Sequence, residues 1–423
     1  MQESKPLTLR SNLSWNFIGN VVYASCQWGM LVVLAKLGSP EMVGQFTLGF
    51  AVTAPIVMFT NLQLQAVQAT DAKAQYLFSD YLGLRLISTA LALLVIMIIS
   101  LSGGYRWETS LVIFLVGLAK AFESISDIFY GLIQQHERMD RIAISLMFKG
   151  PLSLLLLSTG VYISGRVLWG VVGLLLAWVV VLFTCDIHSG VLILKQKSQL
   201  QPRWHLKTLT KLGWLCLPLG FAMMVISLNT NLPRYFIERY LGEWELGIFA
   251  AIAYLMVVGG VIVNALGESA SPRLAKYYAS RDYTNFRDLL FKLVGIAALL
   301  GGTGVLVAVV AGRQILTIVY QPEYAQQTTL FIWLMVVAGV NYISTFLGYG
   351  MTASRYFRVQ MPLFAAVASI LAITNMWLIP KLGLQGVVIA LLIAAITQLV
   401  LSLAVILHAL HKLHGQILGE LKL

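Results

Sequence analysis

The chain is 423 residues long, with 58% hydrophobic and only 11% charged side chains, against about 25% charged in an ordinary soluble domain. A mean hydropathy of +0.81 gives it more apolar surface than a soluble globule can bury, so a bilayer is its natural solvent. The formal net charge of +11 is spread over short loops between apolar runs, which suits the positive-inside rule and leaves no loop long enough for a nucleic-acid-reading module.

Residues 1–12 are polar, and the apolar run that follows is too long for the h-region of a cleavable signal. Twelve runs are each long enough to cross a membrane: 13–36, 43–66, 82–102, 110–133, 142–164, 168–193, 209–232, 245–267, 290–311, 326–351, 361–380 and 384–410. The expected fold is an all-α polytopic membrane protein of two six-helix lobes, 1–200 and 201–423, forming a V-shaped exporter. The N-terminus, the even-numbered loops and the C-terminus hold 21 Lys and Arg, the odd-numbered loops hold 7, and Lys120 stands alone inside span four. That bias places both termini in the cytoplasm. Cys26, Cys185 and Cys216 all fall in apolar runs without paired spacing and read as packing residues.

On span one, Asn12, Asn16, Asn20, Tyr23 and Gln27 fall on one helical face. Asn61, Gln65 and Gln68 form a similar stripe on span two. Such stripes either bond helices together or line a wet cavity. Span four carries Lys120, Glu123 and Asp127 on one face, continued by Gln134. Each charge costs up to about 2.5–3.5 kcal/mol at the bilayer centre. Lys120 can pair with Glu123, which leaves one carboxylate over to take up H+ or Na+. A structural ion pair joining span four to a neighbour fits the same residues.

The basic stretch from Lys195 to Lys211 reads as the linker between halves. On span seven, Ser227, Asn231 and Arg234 share a face, with Arg234 following Pro233 where the helix is expected to end. A guanidinium there suits a phosphate or an acidic sugar, or snorkels to the headgroups. Asn264 and Glu268 continue the pattern on span eight, and Arg273 and Lys276 sit at its cytoplasmic end. His408, His411 and His414 follow the last span with no carboxylate or cysteine beside them, which makes a headgroup-level tail and no metal site. No Walker A motif and no cofactor-binding signature is present.

The halves resemble each other. "LGSPEMVGQF" (37–46) matches "LGEWELGIF" (241–249), and offset 203 then pairs Asn61 with Asn264, Gln65 with Glu268 and Lys73 with Lys276. "GLIQQHERMDR" (131–141) matches "GYGMTASRYFR" (348–358) at offset 217, and "WGVV" (169–172) matches "QGVV" (385–388) at 216. Offset 217 sets Val337, Val340 and Ser344 opposite the three charges of span four. Two halves of six spans point the same way, so their pseudo-twofold runs along the membrane normal with a cavity between lobes.

"LGEWELGIFAAIAYLMVVGG", "NTNLPRYFIERYLG", "ESASPRLAKYY" and "SDIFYGLIQQHERMDRIAIS" resemble the polysaccharide-biosynthesis flippases, Wzx-type members of the multidrug/oligosaccharidyl-lipid/polysaccharide exporter superfamily. The resemblance implies a bacterial inner-membrane flippase that moves a polyprenyl-pyrophosphate-linked oligosaccharide, such as an O-antigen or exopolysaccharide repeat unit, to the outer leaflet. It also implies cationic cavity side chains, for which Arg234 and Lys120 are placed, and glycan polymerase and export proteins as partners. A cation-coupled multidrug exporter of the same superfamily is the nearest rival, and the span count speaks against a flippase of peptidoglycan precursors. A membrane glycan polymerase or ligase would need a sizeable outer loop, and residues 233–244 and 312–325 are short.

Overall fold

The computed structural model describes residues 8–71, 75–194 and 200–420; Lys73, Lys195 and the His414 side chain lie outside them. The described residues contain helices and turns but no strand. In lipid an open sheet edge would leave backbone N–H and C=O groups unpaired, whereas a helix pairs its own. Among the described residues twelve long helices correspond to the twelve expected spans: α1 (Leu9–Leu37), α2 (Pro40–Thr60), α3 (Phe78–Ser102), α4 (Trp107–Gln135), α5 (Met139–Ser164), α6 (Val167–Leu194), α7 (Leu206–Leu241), α8 (Glu243–Ala279), α9 (Tyr283–Val319), α10 (Thr328–Ala353), α11 (Phe357–Leu382) and α12 (Leu384–Glu420). The expected span 43–66 is not one helix: it breaks after Asn61 at Leu62 and Gln63, left-handed at φ +51° and +52°, and Gln65 lies on a separate short turn of helix, Leu64–Ala69. Eleven are long and apolar enough to cross a membrane. The twelfth, α4, has the length at 29 residues, but Lys120, Glu123 and Asp127 break its apolar window. Inside α6 a π-turn, Leu182–Asp186, interrupts the α-helical ladder.

Contacts divide the chain into two compact units, Met1–Tyr235 and Phe236–Leu423. The sequence repeat sets the junction of the halves near residue 200, so α7 up to Tyr235 packs with the first unit although it opens the second half. Leu209, Leu212 and Cys216 are buried in the same apolar cluster as Leu64, Tyr81, Phe129 and Leu182. Higher on the helix, the Tyr235 hydroxyl donates to the Ala51 carbonyl at 2.5 Å. The expected stop at Pro233 does not occur. α7 passes through Pro218 and Pro233 to Leu241, and the connection to α8 shrinks to Gly242, held at φ +92°. Proline removes one ladder bond and kinks a helix without ending it when neighbours and side chains satisfy the freed groups.

In the first unit α1 lies along α5. Asn12 at its start accepts from the Met139 backbone N–H at 3.1 Å, capping α5, whose own N-cap residue Arg138 makes no side-chain cap. Asn12→Ala is therefore expected to lower stability by about 1 kcal/mol, read as a reduced melting temperature of the purified protein. In the second unit α9 and α10 cross backbone to backbone, since a Cβ on Gly301 would sit 2.5 Å from the Gly339 Cα.

The turn after α4 and the turn after α10 are built alike. His136, Glu137 and Arg138 donate to Leu132, Gln134 and Ile133 at 3.3, 3.0 and 3.2 Å, with Glu137 left-handed at φ +55°. Ser354, Arg355 and Tyr356 donate to Gly350, Thr352 and Met351, each at 3.0 Å, with Arg355 at φ +60°. Both are Schellman endings with a left-handed residue just past the helix. Their hydrogen bonds correspond at offset 218, one more than the motif match of 217. Arg355 thus answers to Glu137, and the residues opposite Lys120, Glu123 and Asp127 become Ala338, Asn341 and Thr345. Matching Gly and Arg identities slipped the register by one; backbone hydrogen bonds cannot slip. None of the three counterparts is charged, so the concentration of charge in one half stands.

Candidate functional site

Six ionisable side chains from four helices gather inside the first unit. α4 contributes Lys120, Glu123 and Asp127, one turn apart along one face. The Lys120 ammonium lies 2.6 Å from Glu123 Oε2, and the Tyr23 hydroxyl of α1 donates to Glu123 Oε1 at 3.1 Å. Gln27 lies one turn farther along α1, against the same tyrosine. Lys149 of α5, 1% exposed, brings a second ammonium to 3.8 Å from Glu123 Oε1. The Trp178 ring of α6 lies under both lysines, its centroid 5.2 Å from Lys120 and 5.0 Å from Lys149. Its indole N–H is spent on Ser153 Oγ at 3.0 Å. A π face attracts a desolvated cation with up to about 2 kcal/mol, so it replaces part of the hydration these lysines lose.

Arg85 of α3 is also 1% exposed. It donates to Asn61 Oδ1 at 2.5 Å, and the Asn61 amide donates onward to Asp127 Oδ2 at 3.5 Å. Asn61 thereby bridges a cation of α3 and a carboxylate of α4. The sixth member, Asp186, ends the π-turn of α6 and is 1% exposed. Ser145 donates to its Oδ1 at 2.5 Å, and the Tyr130 hydroxyl joins Ser145 at 2.8 Å.

Span four alone suggested a surplus negative charge. The structure corrects this, because three cations (Arg85, Lys120, Lys149) face three carboxylates (Glu123, Asp127, Asp186). The chain carried a signal for the missing members: each is a charged residue inside an apolar run, as Lys120 is. Arg85 and Lys149 are among the 21 Lys and Arg of the expected cytoplasmic side; without them the ratio is 19 to 7, and the bias persists.

The other candidates are placed as follows. Asn16 and Asn20 bond to each other, at 2.9 Å between side chains. Gln65 reaches Gln134 at 3.5 Å. On α7 Arg234 donates to Asn231 Oδ1 at 2.8 Å, and Asn231 donates to the Ser227 carbonyl at 2.9 Å. These three do share a face and interlock, with Ser227 and Asn231 buried. In the second unit Asn264, Glu268 and Arg273 are exposed on α8. Cys26, Cys185 and Cys216 are free thiols. Among the described residues no group of three or more His, Cys, Asp or Glu is placed to hold a metal ion.

Comparison with known proteins gives this arrangement a context. A capsular polysaccharide biosynthesis protein, CapF of Staphylococcus aureus, is 27% identical over 412 residues, covering 92% of this chain and 97% of CapF. A multidrug resistance MATE family transporter of the MOP superfamily superposes with a TM-score of 0.70 at 13% identity, over 95% of this chain and 98% of that one. The lipid II flippase MurJ superposes with 0.71 at 13% identity, over 94% and 89%. These structural likenesses establish an all-α polytopic membrane fold shared with both transporters. The profile of the family described as polysaccharide biosynthesis protein matches residues 9–278, well over half the chain, and the protein belongs to that family.

Proposed function

We propose that the protein is a flippase that carries a polyprenyl-pyrophosphate-linked oligosaccharide from the cytoplasmic to the outer leaflet of a bacterial inner membrane by alternating access. The observation that carries this reading is a charged, hydrogen-bonded cluster at the heart of a bilayer-spanning unit, in a member of a polysaccharide biosynthesis family. Buried charge in a membrane is costly and marks substrate or ion pathways. The recurrence of the turn after α4 at the end of α10 supports descent from a duplication, the usual ground plan of a rocking transporter. Both termini lie in the cytoplasm, as the Lys and Arg bias requires. The membrane lipid holds the polyprenyl tail, and glycan polymerase and export proteins take the product.

In this scheme Lys120 and Arg234 meet the pyrophosphate or acidic sugars, and Ser227, Asn231, Asn16, Asn20, Gln27, Asn61, Gln65, Asn264, Glu268 and Arg273 give the head group its polar path. Glu123 accepts from the Tyr23 hydroxyl and serves as the counter-ion of Lys120 and Lys149. Asp127, held by one long amide contact, is the carboxylate open to H+ or Na+. In reconstituted vesicles Asp127→Asn is expected to cut gradient-driven export by about tenfold or more, equivalent to about 1.4 kcal/mol of ion binding, with an unchanged melting temperature. Full export by this variant would remove Asp127 from coupling.

The decisive experiment is a deletion strain. Lipid-linked repeat units should accumulate on the cytoplasmic face and clear when the gene is restored. Accumulation on the outer face instead points to a polymerase or ligase. Normal glycan with raised sensitivity to small cationic drugs points to a multidrug exporter, the reading that the likeness to a MATE transporter favours.

A further inference from the structure

The Lys120 ammonium lies among three groups that recognise an organic ammonium ion, each carried by a different helix of the first unit. The Phe50 ring of α2 has its centroid 5.3 Å from the nitrogen, and the Trp178 ring of α6 has its centroid at 5.2 Å. Glu123 Oε2 of α4 accepts from the ammonium at 2.6 Å. Two π faces and a carboxylate make an aromatic cage for a cation. A Lys and a Glu three residues apart on a helix pair without either ring, so the rings add something that the ion pair does not need.

Each wall of the cage is held by a contact that does not involve Lys120. The Trp178 indole N–H donates to Ser153 Oγ at 3.0 Å. Phe46 packs edge-on against Phe50, with 4.9 Å between centroids. The Tyr23 hydroxyl donates to Glu123 Oε1 at 3.1 Å. The walls are therefore preorganised and keep their places when the lysine tail is removed. The cage is also reachable. Lys120 and Glu123 keep 22% and 20% side-chain exposure, whereas Lys149, which shares Glu123 and Trp178 from the other side of the cluster, keeps 1%.

We propose that Phe50, Trp178 and Glu123 form a binding site for a primary alkylammonium ion, filled in this protein by the tail of Lys120. The lysine is a tethered ligand. While it is seated, the site admits no external cation, and Glu123 takes up neither H+ nor Na+. With the tail removed, the site takes a free amine of matching length. Lys120→Ala deletes three methylenes and the ammonium, and n-propylammonium supplies the same atoms. Tetramethylammonium carries the charge but has no N–H to give Glu123 Oε2.

The test uses no transport substrate, so its failure leaves the flippase reading untouched. Melting temperatures of the purified full-length protein are measured in n-propylammonium, tetramethylammonium and potassium chloride at equal ionic strength. The proteins are the wild type, Lys120→Ala, Lys120→Met and the double variant Lys120→Ala, Phe50→Leu. Propylammonium should raise the melting temperature of Lys120→Ala by about 2 °C over potassium, and tetramethylammonium should not. The wild type should not respond, because its site is filled. Lys120→Met should not respond either, because its side chain fills the same space without charge. Phe50→Leu should reduce the gain. A Lys120→Ala protein indifferent to propylammonium overturns the proposal, as does an equal gain in the wild type or in Lys120→Met, or a gain that Phe50→Leu leaves whole. Where Lys120→Ala does not survive extraction, its yield from membranes solubilised with and without propylammonium decides, and an unchanged yield overturns the proposal.

Discussion

Glu123→Ala is expected to cost about 3–5 kcal/mol and to leave little folded protein in the membrane, because removing one partner of a buried ion pair strands the other charge. Here two charges are stranded. Lys120 loses its 2.6 Å partner and Lys149 its 3.8 Å one, and both ammoniums stay over the Trp178 ring. The Tyr23 hydroxyl loses its acceptor as well. Glu123→Gln keeps the side-chain oxygen as an acceptor and should cost clearly less. The pair is compared by yield from membranes and by melting temperature in detergent. A Glu123→Ala protein that melts with the wild type would show that water solvates the freed ammoniums and that Glu123 is not needed to balance them.

Gly173→Leu is the second large effect. α5 and α6 touch backbone to backbone at this point, and a Cβ on Gly173 would fall 2.4 Å from the Leu156 carbonyl oxygen. Backbone cannot rotate out of the way as a side chain can, so α6 must move off α5, at a cost above about 3 kcal/mol. That shift also pulls Trp178 from Ser153 and Asp186 from Ser145, bonds that cross the same interface. Gly213 on α7 is the control. A Cβ there meets nothing within 4 Å, so Gly213→Ala should stabilise the helix by about 0.5–1 kcal/mol through its better helix propensity. Denaturation curves of the two variants in detergent test both. Equal behaviour would mean that close helix approach contributes nothing to holding α5 and α6 together, contrary to the way membrane helices associate.

Legibility differed with the range of the interaction. The one-faced charges of α4 and the interlocked Ser227, Asn231 and Arg234 were readable because residues three and four apart on a helix are neighbours whatever surrounds them. The pairing of Lys120 with Glu123 is of this kind. Pro233 misled for the converse reason: a proline removes a local hydrogen bond, but whether a helix then ends depends on its neighbours, and Tyr235 holds α7 to Ala51. The likeness read at offset 217 is not the one the backbone keeps around residue 137, where the turn hydrogen bonds correspond at 218, since Gly131 and Arg138 find chance identities one residue out of step.

By itself the sequence determined an all-helical chain of long apolar spans that must live in lipid, along with a concentration of charge in its first half. Composition and periodicity act along a single helix, and a bilayer leaves a greasy chain no other way to pair its backbone. Only the tertiary structure decided what those charges amount to. Arg85, Lys149 and Asp186 come from α3, α5 and α6, and their meeting with α4 depends on how each helix is rotated about its axis. Close contacts such as Gly173 against Leu156 fix that rotation. Reading along one helix therefore gave a carboxylate to spare, and packing four helices together gave a cluster in balance.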